Sequence, residues 1–465
     1  MDPTLEGLPT EILIAIALSL DGSGQRLNLL YTSRRFYNAL LPTLYDVINR
    51  TRGYVVPWKL LRTILQKPWL AQMVHELSLP TTYQFYFPID EDPSFEPWIT
   101  SEAAVPTLRK AVESIFNGDE QETEHWLEKL RDGSPEVLNG LLMLSLPRLE
   151  RLELEMPGYE FLGRAIRQVY PPTACGNSIT SKRNYDNNNH DIITTPTIHL
   201  SRLTHLHLFF PGSHQVFLDP ALAIPLFQLP SVRQFSGARF CLPSYDWTYD
   251  IMPSITHMRF MYCSFGNGAK PMIENCKELQ SFTYLHTEND EYEDDSGTLF
   301  NPLPEILRES LLPSRHSLET LCLDFSTDTE TNMLFRAVGS LSEFTALNHL
   351  HISAEILLPL YYDPERHGRV NLSLPKILPR SLETLHVEGL KSEKADHVLG
   401  QLSSFVKSAQ RYTPNLRQVC VMMVKMVLND ATRESFENVD TESKIVCEFK
   451  GWVPILHDLA RSEDK

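Results

Sequence analysis

The chain has 465 residues, of which 42% are hydrophobic and 22% charged, and its formal net charge is −17. That length exceeds the ~250–300 residues at which one hydrophobic core stops growing, so several domains or an elongated repeat array are expected, and wholesale disorder is excluded by the apolar content. The acidity, with no long Lys/Arg run to offset it, excludes a nucleic-acid partner, which would need a clustered positive face.

Asp2, Pro3 and Glu6 follow Met1 with no basic stretch and no long apolar run, so a secretory leader is not expected. The densest apolar stretch, Val419 to Leu428, is interrupted by Lys425 and falls short of the ~20 residues a bilayer requires. Seven cysteines are scattered without a CxxC pair. Reduced thiols in an intracellular protein, cytoplasmic and/or nuclear, fit best.

Residues 8–18 open with Leu8-Pro9-Thr10-Glu11 and continue into Ile12, Leu13 and Ile16 at helical spacing. Pro9 stands at a helix start, where its missing N–H costs nothing, and Glu11 complements the helix dipole in the first turn. Asp21-Gly22-Ser23-Gly24 breaks that helix. A second helical pattern carries Leu27, Leu30 and Tyr31. A third runs from Ser33 to Leu41 with Phe36 and Leu40 inward, and Pro42 is expected to end it. Three short helices in some forty residues are marginal alone and invite stabilisation by a partner or by the rest of the chain.

This stretch resembles the F-box, through Leu8-Pro9-x-Glu11-Ile12-Leu13-x-x-Ile16, Leu27 to Leu30, Ser33-Arg34-Arg35-Phe36 and Leu40 to Tyr45. It departs from the family at Ser33, where many members have cysteine, and in the Gly-Ser-Gly loop before the second helix. The resemblance implies docking on the linker subunit of a cullin–RING ubiquitin ligase, through Leu8, Pro9, Glu11, Ile12, Ile16, Leu30 and Phe36. The alternative is that these residues pack only against the following domain.

From residue 58 the pattern changes. Trp58–Gln66, Leu108–Phe116 and Glu122–Arg131 read as helices, and His75 to Leu79 as an early strand. A pattern L-x-x-L-x-L, other large apolar residues allowed, then recurs. Its copies are Leu149-Leu152-Leu154, Leu203-Leu206-Leu208, Ile255-Met258-Phe260, Leu279-Phe282-Tyr284, Leu318-Leu321-Leu323, Leu347-Leu350-Ile352, Leu382-Leu385-Val387 and Leu416-Val419-Val421, with a weaker one at Val232 and Phe235. Several share a lead-in: Leu146-Pro147-Arg148, Leu229-Pro230-Ser231, Met252-Pro253-Ser254 and Thr413-Pro414-Asn415. First positions are separated by 23 residues (Val232 to Ile255) to 54 (Leu149 to Leu203). Half of the separations fit the ~20–29 residues of leucine-rich repeats and the others carry insertions. Cys263, eight residues after Ile255, stands where such repeats carry Asn or Cys to satisfy backbone at the turn.

This pattern resembles the leucine-rich repeats of F-box proteins in their irregular fungal form. The expected fold is an α/β solenoid: an N-terminal three-helix F-box, then an irregular leucine-rich-repeat horseshoe with a parallel concave sheet. Each unit has a short strand that cannot bury its apolar face alone, so neighbours must stack. Expected boundaries are 1–48 for the F-box, 49–140 for a helical linker and first irregular repeats, 141–429 for the solenoid and 430–465 for a C-terminal cap and tail. Leu303–Leu312, Thr331–Leu341 and Ser392–Ser408 read as amphipathic helices of the convex side, while Pro171 to Pro196 and the acidic stretch Glu288 to Ser296 read as loops.

Residues between the inward leucines are expected to face solvent on the concave side. The candidate target-binding set is Arg151, His205, His207, Phe209, His257, Arg259, His349, His351 and His386, since Arg and aromatic side chains on a rigid sheet anchor partners. The histidines read first as solvated polar positions, then as a pH-sensitive patch, and last as metal ligands. No carboxylate or Cys spacing completes a known metal site, so no metal and no cofactor are expected. Phosphate-loop, GxSxG, HExxH and GxGxxG motifs are missing, so no catalytic residues are expected. The sequence leads to a non-enzymatic adaptor that joins an unknown protein target to a ubiquitin ligase, with a ubiquitin-independent protein-binding scaffold as the alternative. Neither nucleic acid nor membrane is an expected partner.

Overall fold

A computed structural model describes residues 5–20, 23–48, 57–79, 98–155, 160–169, 200–209, 216–217, 225–227, 229–242, 254–265, 269–286, 304–325, 337–358, 373–390, 392–423, 436 and 445–451. The chain divides into two compact units, one of residues 1–211 and 219–233, the other of 212–218 and 234–465.

The recurrent lead-in is a tight turn that starts each rung. The N–H of Leu149 donates to Leu146 O, Val232 to Leu229 O and Leu416 to Thr413 O, and proline at the second position of these turns has its φ already set. The same turn occurs without proline there, at Leu203 to Leu200 O and Leu347 to Phe344 O. From it the chain enters a strand of alternating apolar and polar residues, and each strand pairs in parallel with the next. Just before the strand, each rung donates backbone N–H to the rung before it: Glu150 to His75 O, Thr204 to Glu150 O, Glu319 to Gln280 O, Asn348 to Glu319 O, Glu383 to Asn348 O and Arg417 to Glu383 O. Hydroxyls add to this ladder, with Ser231 donating to Leu200 O, Ser317 to Leu279 O and Ser381 to Leu347 O. Stacking therefore satisfies the backbone groups that an isolated rung would bury unpaired.

The first unit begins with three helices, α1 (Thr10–Leu18), α2 (Ser23–Leu30) and α3 (Arg34–Tyr45). Ser33 caps α3 by accepting from the Phe36 N–H, and the Arg35 guanidinium donates to Leu8 O. Contrary to expectation, Pro42 lies inside α3, which runs on until the Asp46 N–H closes onto Pro42 O. Leu13, Ala17, Leu30, Phe36 and Leu40 form the core, with Leu70 of the helix Pro68–Ala71 built into it. This corrects two expected docking residues: Leu30 and Phe36 are 3% and 4% exposed and hold the three helices together, so neither can meet a partner.

Strands β1 (Val47–Ile48), β2 (Glu76–Leu79), β3 (Arg151–Glu155) and β4 (His205–Phe209) pair in sequence order. Helices Pro57–Gln66, Ala104–Ile115, Glu120–Arg131, Pro135–Leu144 and Glu160–Val169 belong to the same unit. Phe116, Trp126 and Phe161 form an aromatic cluster among them, with ring centroids 5.0–6.1 Å apart. Gly140 is required there: a Cβ would lie 2.3 Å from the Phe161 ring.

The second unit carries eight parallel strands that alternate with a smaller sheet. Strands β5 (Val216–Phe217), β7 (Phe240–Leu242) and β9 (Ser264–Phe265) form the small one. The large one runs β6 (Gln234–Ala238), β8 (His257–Met261), β10 (Ser281–Leu285), β11 (Thr320–Asp324), β12 (His349–Ser353), β13 (Thr384–Leu390), β14 (Gln418–Met423) and β15 (Val446–Gly451). The chain passes from β6 to β7 and from β8 to β9 through Arg239 and Tyr262, both in the left-handed region at φ 59°. That conformation turns the chain out of one sheet and into the other. Cys263 occupies the expected turn position, buried, with its Sγ 3.5 Å from Gly237 O of the preceding rung.

Two expected helices are present, as Pro304–Leu311 and Ser392–Tyr412. The third, Thr331–Leu341, is corrected where it can be seen. Residues 337–341 form no regular secondary structure, with Val338 donating to Ile356 O and Leu341 to Ile377 O, and Gly339 at φ 85° is incompatible with a helix. Residues 331–336 lie outside the described residues, as do the expected loops 171–196 and 288–296.

Candidate functional site

In each unit the pairing registers turn the polar positions of successive strands into rows. In the first unit Glu76, Arg151 and His205 share one row, Ser78, Glu153 and His207 the next, and Glu155 and Phe209 a third. Arg151 is exposed, and His205, His207 and Phe209 are half-buried. The His207 and Phe209 rings lie 5.6 Å apart. Glu155 is 1% exposed.

In the second unit the first row is Gln234, His257, Ser281, Thr320, His349, Thr384 and Gln418, with no carboxylate, lysine or arginine among them. Two of its members bond to one another, His349 Nδ1 with Thr384 Oγ1 at 2.8 Å. The middle row brings together Ser236, Arg259, Thr283, Cys322, His351, His386, Cys420 and Glu448. The candidate residues therefore fall into two groups: Arg151, His205, His207 and Phe209 in the first unit, and His257, Arg259, His349, His351 and His386 in the second. Within the second group, His257 and Arg259 on β8 are three strands from β12, about 14 Å.

Register also joins residues that sequence reading did not single out. Asp324 at the end of β11 and Glu388 on β13 flank Ser353 on β12, and the small serine lets the two carboxyls meet. Ser353 Oγ donates to Asp324 Oδ1 at 3.3 Å and accepts from the Phe325 N–H at 2.7 Å. His351 Nε2 lies 2.6 Å from Glu388 Oε2, and Glu388 is 1% exposed. Burial pushes the Glu388 carboxyl up to about 7, and its hydrogen bond with Asp324 pulls it back only in part. Burial also lowers His351, against the pull of Asp324. Burial raises the Cys322 thiol, reinforced by Glu388 and Asp324. Burial thus works against charge on Glu388, His351 and Cys322 alike. A signal was available in the sequence: Asp324 and Glu388 each directly follow the last apolar residue of their triplet, Leu323 and Val387.

The N-terminal helices offer a different surface. Among the described residues, eight large apolar side chains are exposed, and six of them, Leu5, Ile12, Leu18, Leu27, Tyr31 and Tyr37, lie within residues 5–37. Of the expected docking residues, Pro9, Glu11 and Ile12 are exposed, and Leu8 and Ile16 are half-buried. Residues 12–18 of α1 are all apolar while only Leu13 and Ala17 are buried, and a helix apolar all round needs cover on more than one side.

Among the described residues, no group of three or more His, Cys, Asp or Glu is placed to hold a metal ion, and no helix is long and apolar enough to cross a membrane. A stack of parallel strands with helices in the connections defines a repeat protein. The chain matches the family model described as leucine-rich repeat domain across residues 46–460, and it belongs to that family, whose members are protein-binding modules. No curated protein matches it.

Proposed function

We propose that this leucine-rich-repeat protein is a substrate receptor of an SCF-type cullin–RING ubiquitin ligase. In this reading α1–α3 dock on the linker subunit, and the strand faces hold a protein target. The chain performs no chemistry; it supplies proximity for the ligase's catalytic subunits. The observation that carries the reading is the concentration of exposed apolar side chains on residues 5–37, including Tyr31 at 75% and Ile12 at 47% exposure. A surface of that kind marks a protein contact. The test is co-purification of the recombinant linker subunit with the full chain. Wild type is expected to retain it, and Ile12→Asp combined with Tyr31→Asp to lose it.

A second reading is a ubiquitin-independent scaffold in which the helices cap the array. It is favoured by Leu70, which is 3% exposed in the same core as Leu13 and Phe36. Removal of residues 1–48 separates the two. If the truncated chain loses solubility and the linker subunit never co-purifies with the intact chain, capping is the whole role.

A further inference from the structure

The helices of the first unit leave a groove among them. It is lined by residues of Pro57–Gln66, Pro68–Ala71, Ala104–Ile115 and the end of Pro135–Leu144, and its volume is about 310 Å³. Its wall is mostly apolar. Ile64, Ile115 and Leu144 form the floor and are buried, while Ser114 stands at an exposed edge. The hydroxyls of the groove are already used, Ser114 donating to Ala111 O and Ser145 to Leu141 O. The groove therefore offers shape and apolar surface rather than hydrogen bonds, on the scale of a binding recess.

The charge around it is opposite to that of the chain. Residues 57–75 carry Lys59, Arg62 and Lys67 and no Asp or Glu, in a chain whose formal net charge is −17. Arg62 stands three residues before the lining residue Leu65, Lys67 directly before Pro68, Lys110 one turn before Ser114, and Arg148 directly after Pro147. All four of these cations are exposed, and among the described residues none of them is in an ion pair. Other cations of the unit are matched. Arg109, beside Lys110 on the same helix, is held by Glu113, Glu120 and Glu124, and Lys129 by Glu160. Glu113, the carboxylate next to Ser114, is thus engaged already. Trp69, next to Pro68, is 48% exposed. An indole and unmatched cations beside an apolar recess are the residue types that anchor protein partners.

We propose that this groove binds an acidic amphipathic helix of a protein partner. The apolar side chains of that helix enter over Ile64, Ile115 and Leu144, and its carboxylates meet Lys67, Lys110 and Arg148. Charge complementarity selects the occupant: a basic segment is repelled here, and a neutral one leaves the rim unmatched. A bilayer surface fits less well, because contact with it needs apolar side chains that protrude, and the floor of this groove recedes. The lining includes none of Leu8, Pro9, Glu11, Ile12 and Ile16, so the inference goes beyond the docking of α1–α3 and does not rest on it.

The probe is a fluorescein-labelled peptide of repeated Leu-Glu-Ala-Leu-Ala-Glu-Glu heptads, titrated into the full chain and followed by fluorescence anisotropy at low and high salt. Saturable binding that weakens with salt is the expected result. The overall charge of the chain repels this peptide, so its binding reads the local field of the groove. A peptide with serine for every leucine should not bind, and one with glutamine for every glutamate should bind about tenfold more weakly. Lys67→Glu/Lys110→Glu/Arg148→Glu should also weaken the acidic peptide by about tenfold, since three exposed ion pairs together amount to roughly one decade. Ser114→Trp, which fills the groove from its exposed edge, should abolish binding, and Ile12→Asp/Tyr31→Asp should bind as wild type does. Absence of saturable binding overturns the proposal, and if phosphatidylserine vesicles bind instead the groove is a membrane contact. Equal affinity for the glutamine peptide, unchanged affinity in either groove variant, or loss of binding in Ile12→Asp/Tyr31→Asp would each overturn it too. If a groove variant fails to keep the wild-type urea midpoint, the three peptides on the wild type decide. The linker-subunit test reads α1–α3 only, so failure of either experiment leaves the other standing.

Discussion

Replacing Glu388 by glutamine should make the protein more stable at pH 8 and leave it nearly unchanged at pH 4.5. The carboxyl sits at about 7 in the folded chain against an ordinary 4.5, because burial disfavours its charge. A group whose folded value is raised contributes stability that is present below the unfolded value and is lost as pH climbs through the folded one. The window is therefore pH 4.5 to 7. At about 1.4 kcal/mol for each tenfold change in proton affinity, the rise from 4.5 to about 7 corresponds to at most about 3.5 kcal/mol of lost stability in the wild type above pH 7. Glutamine, a neutral near-isostere, does not carry that loss. The assay is urea unfolding of wild type and Glu388→Gln followed by circular dichroism at half-unit steps from pH 4.5 to 8. The difference should grow with pH and level off above 7. If His351 and Glu388 instead formed a stabilising ion pair, the variant would be the weaker protein between pH 6 and 7, and that result would refute the reasoning.

Three other perturbations test the packing. His286, stacked on Phe325 with centroids 5.6 Å apart, is lowered to about 4 by burial, so its neutral ring supports the fold above the ordinary 6.5 and that support fades as pH falls from 6.5 to 4. His286→Phe should flatten the loss in an acid unfolding series. Leu350→Ala, at a 1% exposed position between β11 and β13, should cost about 2–5 kcal/mol in urea unfolding, whereas exposed His349→Ala on the same strand should stay within about 0.5 kcal/mol. Gly140→Ala should cost about 1–3 kcal/mol and lower the thermal midpoint, because its Cβ would press on Phe161 within the aromatic cluster.

The strands were legible because their signal is local and repeated. In Leu318-Leu321-Leu323 the inward residues recur at the spacing that stacking requires, and the turn before them is written in short motifs such as Leu146-Pro147-Arg148. Rungs without that spelling were harder to see. Val446–Gly451 pairs with β14 through the plain alternation of Val446, Cys447, Glu448 and Phe449, with no triplet to announce it. The small sheet depends on left-handed turns at Arg239 and Tyr262, residue types that do not advertise that conformation. Thr331–Leu341 showed helical periodicity, but Gly339 and the hydrogen bonds of Val338 and Leu341 to neighbouring rungs prevail in the part described. For the candidate site, alternation located the outward positions correctly in direction but not in depth. Glu155, Ser353 and Glu388 face the polar side of their strands yet are 0–1% exposed, because burial there depends on neighbours distant in sequence. At the N-terminus the apolar count of α1 was visible, but which residues form the core and which remain exposed follows from the packing of α2 and α3 against it.

The adaptor role turns on whether the exposed apolar side chains of residues 5–37 meet a ligase subunit. The direct measurement is the affinity of the purified full chain for a recombinant cullin-linker subunit, by calorimetry, for wild type and for the Ile12→Asp/Tyr31→Asp variant. A tight complex with wild type, lost in a variant that unfolds at the same urea concentration, is the result expected. No heat of binding with wild type, or equal affinity in both proteins, contradicts the account.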